Sequence, residues 1–323
     1  MGRDVTAVLI AWNSARWLPR CLDALSRQSV SGGTIRLVAI DNASDDDSVR
    51  ILERASPAAL IRNRENRGFA AAANQGIAAT NDPWVLFLNP DVRLETGYLD
   101  ACIGALEGAG ERFGSATGTL YRAGADDMRA LAEIDTTGIR MTRSGRHLDI
   151  TDPPPPRGSG PREVFGVSGA AAVYRRRCLE HLSVEGEIFD EDFFAYREDA
   201  DLAWRAQLFG WKSIHVPEAI AYHVRRVTPE VRRELPDEIN MHSVKNRFLL
   251  RLKNEGGSMA VRHAPWEIGR DLTVALATLT VERTSLPAWR WLWRNRARVL
   301  RKRAEIQRRR VVSDRDLAGW FTP

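Results

Sequence analysis

Residues 84–92 read WVLFLNPDV. The five apolar residues Trp84 to Leu88 have the length and type of a short buried strand, and Asn89-Pro90-Asp91 ends it in turn-forming polar chemistry. The same unit recurs upstream. Val5–Ala11 is a β-rich apolar run with Asn13 just beyond it, Ile35–Ile40 is a second with Asp41-Asn42 beyond it, and residues 58–62 (AALIR) are a short third. Helical patterns lie between them. Residues 15–28 place Leu18, Leu22 and Leu25 on one face, Ser44 reads as an N-cap with Asp47 three residues on, and Phe69–Thr80 is rich in alanine. Repeated β-α units predict an α/β fold with a doubly wound, mostly parallel sheet. In such a sheet the ligand lies beyond the carboxyl ends of the strands, where all three polar clusters fall.

Downstream the pattern loosens. Residues 122–163 carry the run Pro153–Pro156 with Gly158 and Gly160, and read as a surface excursion, either a plain insertion or an acceptor-side lid. A strand returns at Ala170–Tyr174. The segment GEIFDEDFFAYREDADLAWRAQLFGW (186–211) follows, helical in its second half, then short strands at Ser213–Val216 and Ala219–His223 and a helix over 238–254.

Composition narrows the class. The 323 residues are 44% apolar and 28% charged, ordinary for a globular chain, with a net charge of +5. Cys21, Cys102 and Cys178 are far apart and lack CxxC spacing, which argues against a disulfide framework or a zinc knuckle. No secretory signal is read at the N-terminus and no membrane-spanning run anywhere. The best candidate, Leu272–Val281, is short and flanked by Asp271 and Glu282. No GxGxxG follows the first strand, which disfavours a dinucleotide-binding oxidoreductase.

Several residues have the chemistry of a site. Asp91, at a strand tip beside Asn89, suits Mg2+ or Mn2+, which take one or two carboxylates plus substrate phosphates; the same three residues also make an ordinary turn. Asp41 can accept hydrogen bonds from a ribose or base edge, while Asn42 or Ser44 can equally cap the next helix. Seven acids crowd into the fifteen residues from Glu187 to Asp201, interleaved with Phe189, Phe193, Phe194 and Tyr196. Like charges in a partly apolar setting raise a carboxyl pKa, which suits a general base. Glu198 and Asp199 also open a helix, where negative charge is favourable in any case. His223, ending a strand, is a candidate metal ligand or a structural histidine.

Taken together, VLIAWNSARWLPRCLDAL, LVAIDNASDDDSV, NRENRGFAAAANQGI, WVLFLNPDV, VSGAAAVYRR and FDEDFFAYREDADLAWRAQLFGW resemble glycosyltransferase family 2, in particular its bacterial rhamnosyltransferase-like members, in the family's order over residues 5–225. The resemblance implies a GT-A fold and an inverting transfer from a nucleotide-diphosphate sugar, best guess dTDP-rhamnose, with a UDP-hexose as the alternative. The acceptor would be a polyprenyl-diphosphate-linked or other glycan of the cell envelope. It implies that Asn13, Asp41, Asn66, Gly68, Asn89 and Asp91 bind the nucleotide sugar. Asp91 would be the last acid of a DXD-like motif, reading Asn89-Pro90-Asp91 here. Asp199 of the Glu198-Asp199 pair would be the base, with Glu198 as the alternative. Asp91 and His223 would hold a divalent cation, Mg2+ or Mn2+. In relatives a small hydroxyl residue often follows the histidine; Thr228 is the nearest match here.

The implied organisation is a catalytic domain over 1–255, with a nucleotide-sugar half over about 1–121 and an acceptor half over about 164–255, then a basic, tryptophan-rich helical tail over 256–323. Between Trp289 and Arg310 stand ten Lys or Arg and one acid, Glu305, interleaved with Trp289, Trp291 and Trp293. This predicts an interfacial helix on an anionic membrane and places the protein in the cytoplasm, peripheral on the inner face of the plasma membrane. A helix packed on the catalytic domain is the competing reading. Nucleic acid is not expected as a partner. A scaffold without catalysis and a sugar-nucleotide pyrophosphorylase remain rivals; the latter lacks its glycine-rich basic loop at Asn13-Ser14-Ala15.

Overall fold

The computed structural model describes residues 2–225 and 237–323, so Thr228 lies outside the described residues. The first half alternates β1 (Val5–Ala11), α1 (Leu18–Ser26), β2 (Ile35–Asp41), α2 (Ser48–Arg54), β3 (Ala59–Arg62), α3 (Gly68–Ala78) and β4 (Trp84–Leu88). Then come β5 (Val92–Leu94), α4 (Tyr98–Ala109), β6 (Phe113–Ala123), β7 (Ala130–Thr136), β8 (Ile139–Thr142), β9 (His147–Asp149), β10 (Arg162–Val164), β11 (Ala171–Arg175) and α5 (Arg176–His181). The chain closes with α6 (Glu198–Leu208), β12 (Lys212–His223), α7 (Asp237–Asn254), α8 (Gly257–Thr280), α9 (Leu286–Arg294), α10 (Arg296–Arg309), α11 (Asp314–Leu317) and β13 (Phe321–Thr322).

The main sheet runs β10-β12-β6-β11-β4-β1-β2-β3. Strands β4, β1, β2 and β3 are parallel, as the β-α repeat requires, and β6 and β12 are parallel to each other. Strand β11 runs antiparallel between β4 and β6 and joins the two parallel blocks. The parallel strands are apolar on both sides because both sides are covered. Val8, Val38, Ile40, Val85 and Phe87 pack with α3 and α6. Their chain neighbours Ala7, Leu9, Ala39, Leu86 and Leu88 pack with α1 and α4. Helix α3 sits close on the sheet, since a Cβ at Gly76 would collide with Val8. The three cysteines are buried and free.

The structure differs from the sequence reading in four places. The strands read at Ser213–Val216 and Ala219–His223 are one, β12, which stays paired with β6 across a register shift between Val216 and Ile220. The excursion over 122–163 contains strands: β7 folds back on β6, and β8 pairs with β9 and with the C-terminal β13. These strands are short, and β7 is largely exposed, so no periodicity announces them. Ser44 does not cap α2, which starts at Ser48; its Oγ accepts the Asn13 N–H at 3.0 Å instead. The tryptophan–arginine segment is two helices, α9 and α10, meeting at Asn295.

Helix α10 packs on α7 and on the acidic segment before α6. Lys302, 3% exposed, donates to Asp190 at 2.6 Å, Glu187 at 2.9 Å and Asp192 at 3.2 Å, and Arg298 also pairs with Asp192. Trp291 lies beneath Lys245 and Arg298, and Trp289 against Phe248. Glu187, Asp190 and Asp192 are therefore neutralised from within the chain by Lys302, Arg298 and Lys253. Among the described residues no helix is long and apolar enough to cross a membrane.

Candidate active site

Parallel pairing sets the tips of β2, β1 and β4 side by side, and with them Asp41, Asn13 and Asn89. The loops at these tips are stitched together. Asn13, at φ +47°, accepts the Asp45 N–H on Oδ1 at 2.8 Å. Asp41, 3% exposed, accepts the Ser44 N–H on Oδ2, and no described residue hydrogen-bonds its buried Oδ1. Asn42 is the hub. Its Nδ2 donates to Asn66 Oδ1 at 2.9 Å and to the Gly68 carbonyl at 3.2 Å, and its Oδ1 accepts from the Arg67 N–H and Asn63 Nδ2.

Asn66 and Gly68 fix the start of α3. Asn66 Oδ1 accepts the Gly68 N–H at 2.9 Å. Gly68 has φ +79°, and a Cβ there would strike Phe194, whose carbonyl accepts the Ala70 N–H. The α3 N-terminus is thereby tied to the loop that leads into Glu198 and Asp199.

That loop is strained. Phe194, Tyr196 and Arg197 have φ of 65°, 69° and 73° without being glycine. Such residues cost about 1–3 kcal/mol each and persist only where the surroundings over-determine them. Asn246 of α7, fully buried, supplies the restraint: its Nδ2 donates to the carbonyls of Phe193, Ala195 and Tyr196 at 2.7–2.9 Å. His242 stacks on Phe194 with ring centroids 4.7 Å apart.

The strained turn delivers Asp199 to the sheet. Asp199 Oδ2 accepts the Gly169 N–H at 3.1 Å, and Oδ1 accepts the Ala200 N–H at 2.7 Å. Gly169 adjoins Ala170, whose carbonyl accepts the Asn89 N–H at 2.9 Å, so Asp199 is linked to the Asn89-Pro90-Asp91 turn through these two consecutive residues ahead of β11. Burial raises the Asp199 carboxyl pKa, and the hydrogen bonds from Gly169 and Ala200 oppose that rise. Burial and the charge of Asp199 raise Glu198 well above its usual range, and no described residue hydrogen-bonds Glu198 Oε2.

Asp91 meets His223 through strand pairing. In the β5–β12 register Val92 stands opposite His223, which sets His223 Nε2 3.5 Å from Asp91 Oδ1. On the other side His223 Nδ1 donates to Asp135 Oδ2 at 2.7 Å. Burial disfavours the imidazolium, but the charge of Asp91 and the hydrogen bond to Asp135 win and raise the pKa to about 9. Two atoms bound to one cation at about 2.1 Å stand about 3.0–3.5 Å apart at octahedral to tetrahedral angles. The Asp91–His223 spacing fits, and Asp135 stands where an outer carboxylate would orient a ligating histidine.

The sequence model of glycosyl transferase family 2 matches residues 6–183. The chain belongs to glycosyl transferase family 2. The pre-mycofactocin glycosyltransferase of Mycobacterium tuberculosis is 28% identical over 234 residues, covering 69% of this chain and 43% of its own length. The chain thus spans less than half the length of that relative. Among solved structures, GalNAc-T7 with UDP, GalNAc and Mn2+ superposes with a TM-score of 0.61 at 13% identity, over 77% of this chain and 48% of its own. The Pyrobaculum calidifontis mannosyltransferase PcManGT with GDP-Man and Mn2+ superposes with a TM-score of 0.52 at 16% identity, over 94% and 83%. These likenesses give the GT-A fold.

On this family 2 framework, several residues of the site went unremarked in the sequence. Asp135 is fully buried and contacts His223, Arg122 and Arg225, while Arg225 reaches Asp149 at 2.6 Å. Asp135 and Asp149 lie in the segment read as a loose excursion. Asn246 sits in a helix whose pattern gives no hint of a polar clamp. A second buried group, Glu255, His263 and Glu267, has potential ligand atoms within 4.8 Å of one another on the C-terminal helices. There Arg251 pairs with Glu267 at 3.2 Å, His263 Nδ1 lies 3.6 Å from Glu255 Oε1, and burial with the charge of Glu267 raises the Glu255 pKa to about 8.

Proposed function

We propose that this chain is an inverting glycosyltransferase that moves a sugar from a nucleoside diphosphate to an acceptor hydroxyl. The observation that carries the reading is the hydrogen-bonded link from Asp199, through Gly169 and Ala170, to Asn89 of the turn that presents Asp91 to His223. Asp199 takes the proton of the acceptor hydroxyl. The freed oxygen attacks the anomeric carbon from the side opposite the diphosphate, so the configuration inverts and no covalent enzyme intermediate forms. Glu198 is the alternative base. Asp91 and His223 hold Mg2+ or Mn2+, which when bound offsets the charge of the departing diphosphate. Asp41 faces the ribose or base, and Asn13, Asn66, Gly68 and Asn89 shape the loops that receive the nucleotide.

For the donor we favour dTDP-L-rhamnose, on the resemblance of the motifs. A UDP-hexose is the second reading, favoured by solved neighbours, GalNAc-T7 and S. aureus TarS, that bind UDP. The acceptor is a lipid-linked or polysaccharide glycan of the cell envelope, met by a protein peripheral on the inner face of the plasma membrane. The test presents dTDP-rhamnose, UDP-glucose, UDP-GlcNAc and GDP-mannose, with and without Mn2+, and follows thermal stabilisation and nucleoside diphosphate release. One sugar nucleotide should stabilise the chain only with Mn2+, because a ligand of the folded state alone raises apparent stability. Absence of stabilisation or release with every donor would contradict the proposal.

A further inference from the structure

Helix α8 is amphipathic with its apolar face turned outward. Its inward residues Met259, His263, Glu267 and Thr278 are buried, and Arg251 of α7 grips Glu267 and Asp271. On the other side Val261 is 79% exposed, Ile268 58%, Leu272 66%, Leu276 63% and Leu279 59%. At about 100° per residue these five, with Pro265 and Ala275, share a sector of roughly 100° that contains no charged side chain and extends for roughly 27 Å along the helix. An apolar stripe of that length normally faces a core. Here it faces solvent, whereas the basic helix α10 is ion-paired to the chain's own acids.

We propose that the α8 stripe is the surface by which this protein lies on an anionic phospholipid membrane. The choice of occupant rests on charge. Residues 256–323 hold fourteen Lys and Arg against six Asp and Glu. Arg262 and Arg283 are exposed at either end of the stripe. Helix α9, tied to α8 by Trp289 Nε1 donating to Thr278 Oγ1 at 3.1 Å, adds exposed Trp293, Arg290 and Arg294. Two copies stacked stripe to stripe would set these cationic margins against each other. Anionic headgroups complement them, with indole at the headgroup level. The buried polar side of α8 keeps it in the plane of the interface and prevents it from spanning. The inference deepens the reading of a lipid-linked acceptor and rests on that reading only for its purpose.

The test is flotation of the full chain with phosphatidylcholine vesicles and with vesicles also containing phosphatidylglycerol, alongside light scattering without lipid. The chain should bind the anionic vesicles, and Leu272→Asp/Leu276→Asp should lower that binding at least tenfold. Both positions are exposed, so the fold and donor hydrolysis in solution should be unchanged. Arg290→Glu/Arg294→Glu should weaken binding and reduce its salt dependence. Equal binding by the leucine variant, or no binding by the parent chain, would overturn the inference. A dimer in solution that the leucine substitutions dissociate would assign the stripe to a second copy and overturn it too. Donor hydrolysis is read separately, so vesicle binding without turnover would sink the proposed activity and leave the surface standing.

Discussion

His223 Nε2 stands 3.5 Å from Asp91 Oδ1 while His223 Nδ1 is held by Asp135, so one imidazole is gripped between two carboxylates. Both raise its pKa, to about 9, so without a cation it is protonated at neutral pH. A ligating histidine must be neutral. Mn2+ binding should therefore release a proton, and affinity should rise with pH up to about 9. Calorimetry in buffers of different ionisation enthalpy reads the proton directly. Asp91→Ala should abolish Mn2+-dependent donor binding. Asp135→Asn should weaken Mn2+ by about 10- to 100-fold, the usual effect of losing an outer carboxylate. Proton-neutral Mn2+ binding would remove His223 from the ligand set.

Asn246 restrains the strained turn before Asp199. In Asn246→Ala the carbonyls of Phe193, Ala195 and Tyr196 lose their donor, and each buried orphan costs about 1–3 kcal/mol. We expect a loss of roughly 2–4 kcal/mol in urea denaturation. Turnover should also fall while Mn2+ affinity holds, because the clamp serves Asp199 and not Asp91. Unchanged turnover in folded variant protein would mean that the turn keeps its shape without Asn246.

Lys302 and Arg301 are neighbours with opposite expectations. Lys302 is buried among Asp190, Asp192 and Glu187, so Lys302→Met leaves uncompensated buried charge and should cost about 3–5 kcal/mol. Arg301 pairs with Glu185 from a side chain 62% exposed, and Arg301→Ala should cost less than about 1 kcal/mol. Equal denaturation midpoints for the two variants would contradict the packing of α10.

The parallel half of the fold and the strand-tip acids were legible because a strand buried on both faces reads as an uninterrupted apolar run ending in polar residues. Trp84–Leu88 followed by Asp91 is the clearest case. The ion-pair role of Asp190 and Asp192 was not legible. Their partners Lys253 and Lys302 lie 63 and 112 residues further on from Asp190, and clustered charge reads the same whether solvated or neutralised in the fold. Asp135 was hidden for another reason: β7 is mostly exposed, so its one buried carboxylate breaks no apolar pattern. The amphipathic pattern of α8 is visible in sequence, but which face looks outward depends on what Arg251 and the other elements cover.

Glu255 gives a pH prediction away from the site. Burial and the charge of Glu267 raise its pKa to about 8. Between its unfolded value, about 4.5, and 8 the folded chain holds a proton that the unfolded chain has released, so this group's contribution to stability falls as pH rises through that window. Glu255→Gln imitates the protonated form. Its Tm relative to the parent should increase from pH 5 to pH 8. A constant difference across that range would show that Glu255 does not carry the shift.

Whether Asp199 removes the acceptor proton is decided by Asp199→Asn. The amide keeps the size of the carboxylate and its oxygen can accept one of the two N–H donors, that of Gly169, but it is not a base. Single-turnover transfer should slow by about 10²–10⁴ while Mn2+-dependent donor affinity, read by calorimetry on the same protein, stays within about twofold. Glu198→Gln on the same helix start should slow transfer far less. Parent-like transfer by Asp199→Asn, above all if Glu198→Gln is the variant that fails, would contradict the assignment of Asp199 as the base.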